Sequence, residues 1–256
     1  MSEIDPYTPD LPPQLPVSEP KSVAIQIPQV KPWVTYILLG LTAGVFLLQL
    51  GSQYLYGMDV PQILGVKYGP FIRQGQVWRL ITPALLHASL WHLFANMYAL
   101  FVLGPGLERH YGHARYLTLY LLSAFTGNVL SFILVPGPSL GASTAVFGLL
   151  GAQAVFLFRN KELLGEGGRR GLRSVISVAA INLLVGAMTP TIDLWGHVGG
   201  LVGGALFAWL AGPLYRIEGY YPHLNLVDEH SGGKAYLAAL GIGVVFALLV
   251  LFGAAL

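Results

Sequence analysis

The sequence predicts an all-α, polytopic membrane protein. Apolar residues make up 54% of the chain and charged residues only 10%, with a mean hydropathy of +0.62. That is too little charge to cover a soluble domain. The apolar residues also gather into seven runs near the length of about 20 residues that crosses a hydrocarbon core of about 30 Å, and Lys and Arg fall almost entirely on one side of those runs.

In chain order, residues 1–32 carry eight of the seventeen prolines and no apolar period, so they read as a disordered tail. The tail has no basic start leading into an apolar run and a small-residue cleavage site, so no signal peptide is expected and the first apolar run is expected to persist as a helix. The seven expected spans cover residues 33–51, 87–104, 114–135, 142–158, 173–189, 195–215 and 235–256. A long loop, 52–86, separates the first two. If the N-terminus lies inside, eleven Lys and Arg face the cytoplasm (Lys21, Lys31, Arg109, Arg115, Arg159, Lys161, Arg169, Arg170, Arg173, Arg216, Lys234) and three, Lys67, Arg73 and Arg79, lie outside. This excess favours the N-in orientation. The chain has no cysteine, which excludes disulfides and thiolate metal or redox sites, and its net charge of +2 gives no argument for nucleic acid as a partner.

Polar groups at membrane depth are costly and therefore functional candidates. Spans two, four and six all run from outside to inside, and each begins with such groups: His87, His92 and Asn96 in LLHASLWHLFAN, Ser143 in GASTAVFG, and His197 in DLWGHVGGLVGG. His92 and Asn96 are one helical turn apart and point the same way. A lone interfacial histidine is ordinarily a hydrogen-bonded structural residue. Three separate spans bringing Ser, His and a His/Asn pair to one level provide a nucleophile, a base and donors for a tetrahedral oxyanion. Gly141, Gly148 and Gly151 in span four, and Gly199, Gly200, Gly203 and Gly204 in span six, form small-residue faces that let two backbones approach closely. Such faces would bring Ser143 within reach of His197. The other four histidines, His110, His113, His223 and His230, fall in the inner connections.

The motifs WRLITPALLHASLWHLFAN, LERHYG (Glu108, Gly112), GASTAVFG and GHVGGLVGG, in this order and spacing over roughly residues 33–215, resemble the rhomboid family of intramembrane serine proteases. The resemblance implies a six-helix core over 33–215, with 216–256 a cytoplasmic connection and an added seventh helix. It implies Ser143 as nucleophile and His197 as general base. His92, Asn96 and the Ser143 backbone N–H would form the oxyanion hole. Phe147 would pack on the base, with Gly141, Gly200 and Gly204 in support, His87 structural, and Trp78 and Arg79 in a partly embedded first loop. Thr144 departs from the glycine usual after the serine.

The resemblance further implies an integral protein of a bacterial plasma membrane, active near the outer face on single-pass or polytopic membrane-protein substrates, with no cofactor and no metal. Within the spans that carry these groups no carboxylate lies at this level, so a Ser-His dyad is expected; Asp193, the one nearby acid, is expected to face water. Span five and residues 187–195 are the expected moving lid. Two other readings stay open: an inactive rhomboid-like protein that binds membrane clients, against which both Ser143 and His197 are present, and a transporter, against which the polar groups sit at one end and no inverted repeat is visible.

Overall fold

The computed structural model describes residues 30–220, 223–230 and 233–255. The first 29 residues of the expected tail lie outside them. The chain folds as a helical bundle: α1 (Trp33–Tyr56), α4 (Leu90–Tyr111), α5 (His113–Leu134), α6 (Ser143–Arg159), α7 (Lys161–Met188), α8 (Leu194–Ala211) and α9 (Lys234–Ala255), with two short helices, α2 (Val60–Gly65) and α3 (Gly69–Arg73), in the first loop. Among the described residues, six helices are long and apolar enough to cross a membrane. The remaining apolar helix, α6, has 17 residues, about 25 Å at 1.5 Å per residue.

Helices α5, α6 and α8 form the centre. Leu119, Ala124, Val129, Ala145, Leu149, Ala152 and Phe207 are wholly buried where they meet, whereas α7 buries only Gly168 and Gly186 among the described residues. Short side chains let α6 and α8 touch through their backbones: a Cβ on Gly200 would overlap the Thr144 carbonyl, and one on Gly204 would overlap Gly148. Such contact suits helices in lipid, where dispersion and close fit replace the hydrophobic effect between helices.

Several expected boundaries shift: α1 runs on to Tyr56 and α4 to Tyr111, past the expected ends at 51 and 104. The connection expected between spans four and five is helical from Lys161 onward and broken only at Gly165, whose φ of 54° and ψ of −141° depart from the helix. The connection between α8 and α9 holds an antiparallel hairpin, β1 (Tyr215–Tyr220) and β2 (His223–Asp228), with Tyr215 opposite Asp228. Arg115 ties it to the bundle: its Nη2 lies 2.6 Å from Asp228 Oδ2, and its Nε donates to the Tyr111 carbonyl.

Buried polar side chains hold the helix ends. Glu108, wholly buried on α4, accepts from the N–H groups of Val34 and Thr35 and from Thr35 Oγ1 at 2.7–2.8 Å. The carboxylate thereby satisfies orphan donors of the α1 N-terminus, which has no capping side chain of its own. At the other end of α1, Gln49 donates to the His87 carbonyl at 3.2 Å and accepts from the His87 N–H at 3.0 Å. The first loop is closed by Arg79, which donates to Ile63 and Val66 carbonyls at 2.8 and 2.9 Å and lies over the Phe71 ring. Lys67 then stitches this loop to residues 135–139 through a backbone bridge with Ser139 and Nζ bonds to the Val135 and Gly137 carbonyls.

Candidate active site

His92, Ser143 and His197 occupy the first turns of α4, α6 and α8. Because these helices run the same way, their N-termini share one end of the bundle; His110, His113 and His230 lie at the other, around Glu108, Tyr215 and Gly212. Ser143 opens α6, and its Oγ is 2.8 Å from His197 Nε2. Phe147, one turn along α6, stacks on the His197 ring at 4.2 Å and 13°. The imidazole is thus held on one face by the same helix that carries the hydroxyl.

Gly141 has φ +133°, and a Cβ there would sit 2.7–2.8 Å from the His92 ring and 3.6 Å from Ser143 Oγ. The missing side chain leaves room for His92 beside the serine. His87 supports the same strand of chain: its Nε2 accepts from the Ala142 N–H at 3.3 Å, and its ring meets the His92 ring edge-on at 5.0 Å. Asn96 is nearly buried, and its Nδ2 donates to the His92 carbonyl at 3.0 Å. The structure therefore places the His92 ring and Ser143 Oγ on either side of the space that a Gly141 side chain would fill, whereas Asn96 is bonded along its own helix, with its second amide hydrogen uncommitted.

Thr144 is buried, its Oγ1 has no hydrogen-bond partner among the described residues, and its Cβ fills the space that a side chain on Gly127 of α5 would need, 2.7 Å from that site. A side chain after the serine is accommodated by a glycine on the neighbouring helix.

Asp193 does not face water freely. It is partly buried and caps α8: Oδ1 accepts from the Gly196 N–H at 2.8 Å and Oδ2 accepts from Ser131 Oγ. Neither oxygen reaches the His197 ring, and among the described residues His197 Nδ1 has no hydrogen-bond partner. The Asp193–Ser131 and Gln49–His87 contacts pair residues 62 and 38 apart, which no local motif reveals.

The family profile described as Rhomboid domain matches residues 74–214, from the first loop through α8. The chain belongs to the rhomboid family. It is 36% identical over 216 residues to the rhomboid protease GluP of Bacillus subtilis, covering 84% of this chain and 40% of that one. It is 32% identical over 231 residues to rhomboid-like protease 1 of Toxoplasma gondii, covering 89% of this chain and 72% of that one. A third relative, RHOMBOID-like protein 7 of Arabidopsis thaliana, is 38% identical over 144 residues, covering 56% of this chain and 45% of that one. The chain thus spans less than half the length of the Bacillus and Arabidopsis relatives.

Proposed function

We propose that this rhomboid is an intramembrane serine endopeptidase that cuts transmembrane segments of single-pass or polytopic membrane proteins. In this reading the chain sits in a bacterial plasma membrane with its N-terminus in the cytoplasm, residues 33–215 form the protease core, and the site lies near the outer face. The observation that carries it is the 2.8 Å contact between Ser143 Oγ and His197 Nε2, made between the N-termini of two helices whose backbones touch.

The chemistry follows from the groups present. His197, as neutral imidazole, takes the Ser143 proton on Nε2 while Oγ attacks the scissile carbonyl carbon. The negative charge that develops on the carbonyl oxygen falls at the N-terminus of α6, where the Ser143 N–H has no partner within the helix. His92 and the free amide hydrogen of Asn96 add side-chain donors. The C–N bond then breaks, the imidazolium gives its proton to the leaving amine, and an ester on Ser143 remains. Water, deprotonated by His197, attacks that ester and releases the new carboxyl terminus with Ser143 restored. Because both Asp193 oxygens are engaged elsewhere, the site works as a Ser-His dyad. Sparse burial of α7 suits it, with residues 187–195, to act as the lid through which a substrate helix enters and unwinds.

The test is cleavage of a transmembrane reporter peptide, together with fluorophosphonate labelling, by purified full-length chain in detergent. Wild type is expected to cleave and to label, and Ser143→Ala and His197→Ala to lose at least about 10³-fold in kcat. Equal cleavage by all three proteins would overturn the assignment. Capture of the intact reporter without cleavage by any of them would favour the client-binding reading.

A further inference from the structure

The carboxylate of Asp193 ends a continuous run of hydrogen bonds that begins in the first loop. Lys67 and Ser139 exchange two backbone bonds of 3.0 Å, and Lys67 Nζ holds the Val135 and Gly137 carbonyls at 3.0 and 2.7 Å. Ser139 Oγ lies 3.3 Å from Ser131 Oγ on α5, and Ser131 Oγ donates to Asp193 Oδ2. A carboxylate only accepts, so the Ser131 proton is committed to Asp193 and Ser139 must donate to Ser131. On its other oxygen Asp193 receives the Gly196 N–H at 2.8 Å, and its backbone carbonyl receives the His197 N–H at 3.1 Å.

Together the links run from the segment that precedes Ser143, through Ser131 on α5, to the first turn of α8. Residues 135–142 lead directly into Ser143, α5 packs against both α6 and α8, and Asp193 fixes the first turn of α8, where His197 stands. From this geometry we infer that Asp193 is a positioning residue: it sets the first turn of α8, and through it the His197 ring, against the segment that carries Ser143. It does so without contacting the imidazole. The inference rests on the protease reading above. It assigns to a helix cap the orienting task that a third triad member performs by touching the base.

The role is geometric, and so an uncharged cap can supply it. In Asp193→Asn the side-chain oxygen still accepts from Gly196, and the amide nitrogen donates to Ser131 Oγ, which turns its proton toward Ser139. Asp193→Ala removes the cap and leaves Ser131 without its acceptor. A displacement on the order of 1 Å in a reacting pair costs up to about 100-fold in rate.

The experiment measures reporter cleavage and fluorophosphonate labelling for full-length wild type, Asp193→Ala, Asp193→Asn, Ser131→Ala and Ser143→Ala in the same detergent. Expected for Asp193→Ala is a fall in kcat of about 10- to 100-fold with KM within about twofold. Asp193→Asn should recover most of that loss with the pH profile of wild type, and Ser131→Ala should fall between the two. Wild-type kcat in both Asp193→Ala and Ser131→Ala would overturn the inference. So would a loss in Asp193→Asn as deep as in Asp193→Ala, or a displaced pH profile, since either would mean that the charge acts on His197. If Asp193→Ala does not fold, the Asp193→Asn pH profile and the Ser131→Ala rate decide. A wild type that neither cleaves nor labels at Ser143 would instead bring down the protease reading, and this inference with it.

Discussion

Asn96 is the candidate donor that is bonded along its own helix. Its amide returns to the His92 carbonyl four residues earlier, a local bond of small net worth to the fold. Replacing it should therefore separate catalysis from stability. Asn96→Ala is expected to lower kcat by about 10²- to 10³-fold, as removal of one oxyanion donor does, while thermal unfolding in detergent shifts by no more than about 1 kcal/mol. Equal losses in both would show that the side chain serves packing. Thr144 teaches the complementary point at the same scale. Its place after the serine is unexplained by its own motif, and the reason lies on α5, where Gly127 leaves the volume that the threonine occupies.

At the scale of elements, the α6–α8 seam and the α1 N-terminus make separate demands. Gly204→Ala would push a methyl group into Gly148, an overpacking that costs about 1–3 kcal/mol. A lowered Tm in detergent checks the cost, and because the seam sets the Ser143–His197 contact, fluorophosphonate labelling should fall even below the new Tm. Glu108→Ala would leave the Val34 and Thr35 N–H groups without their acceptor, at about 1–3 kcal/mol for each buried donor. Hydrogen exchange at the start of α1 should quicken while labelling of Ser143 persists, since Glu108 lies at the far end of the bundle. The apolar runs were readable because a bilayer imposes their length, and the glycine faces because close helices need them. The pairing of β1 with β2 was hidden, although HLNLVD alternates apolar and polar residues, because six-residue strands among long helical runs give a weak signal. The helix through residues 161–172 was hidden too: its charges and glycines read as a loop, and only Gly165 leaves the helix.

For the molecule as a whole, Lys67 shows how the first loop is bound to the rest. It is wholly enclosed, and burial pushes its pKa down to about 8, against the smaller opposing pull of the Asp193 carboxylate. The folded chain releases this proton near pH 8, whereas the unfolded chain keeps it to the ordinary value of 10.5. Unfolding between these pH values takes up a proton, so the Lys67 contribution is fully present above about 10.5, fades as pH falls, and is gone below about 8. Thermal unfolding of wild type should gain about 2 kcal/mol from pH 8 to pH 10 relative to Lys67→Met; parallel curves would show that the amine is not enclosed in solution. The pairings of Lys67 with residues 135–139, Gln49 with His87 and Asp193 with Ser131 escape a reading of motifs because they join distant segments, while the histidines and serine at the helix mouths were visible from hydropathy alone.

The length of α6 bears on the solvent. Its 17 residues fall about 5 Å short of a hydrocarbon slab of about 30 Å, while α5 and α7, which pack beside it, have 22 and 28. On the proposed reading, that missing turn is a sheltered basin below the lipid headgroups. Water can collect there without crossing oil, and a peptide bond can be hydrolysed at a depth where hydrolysis would otherwise have no reagent.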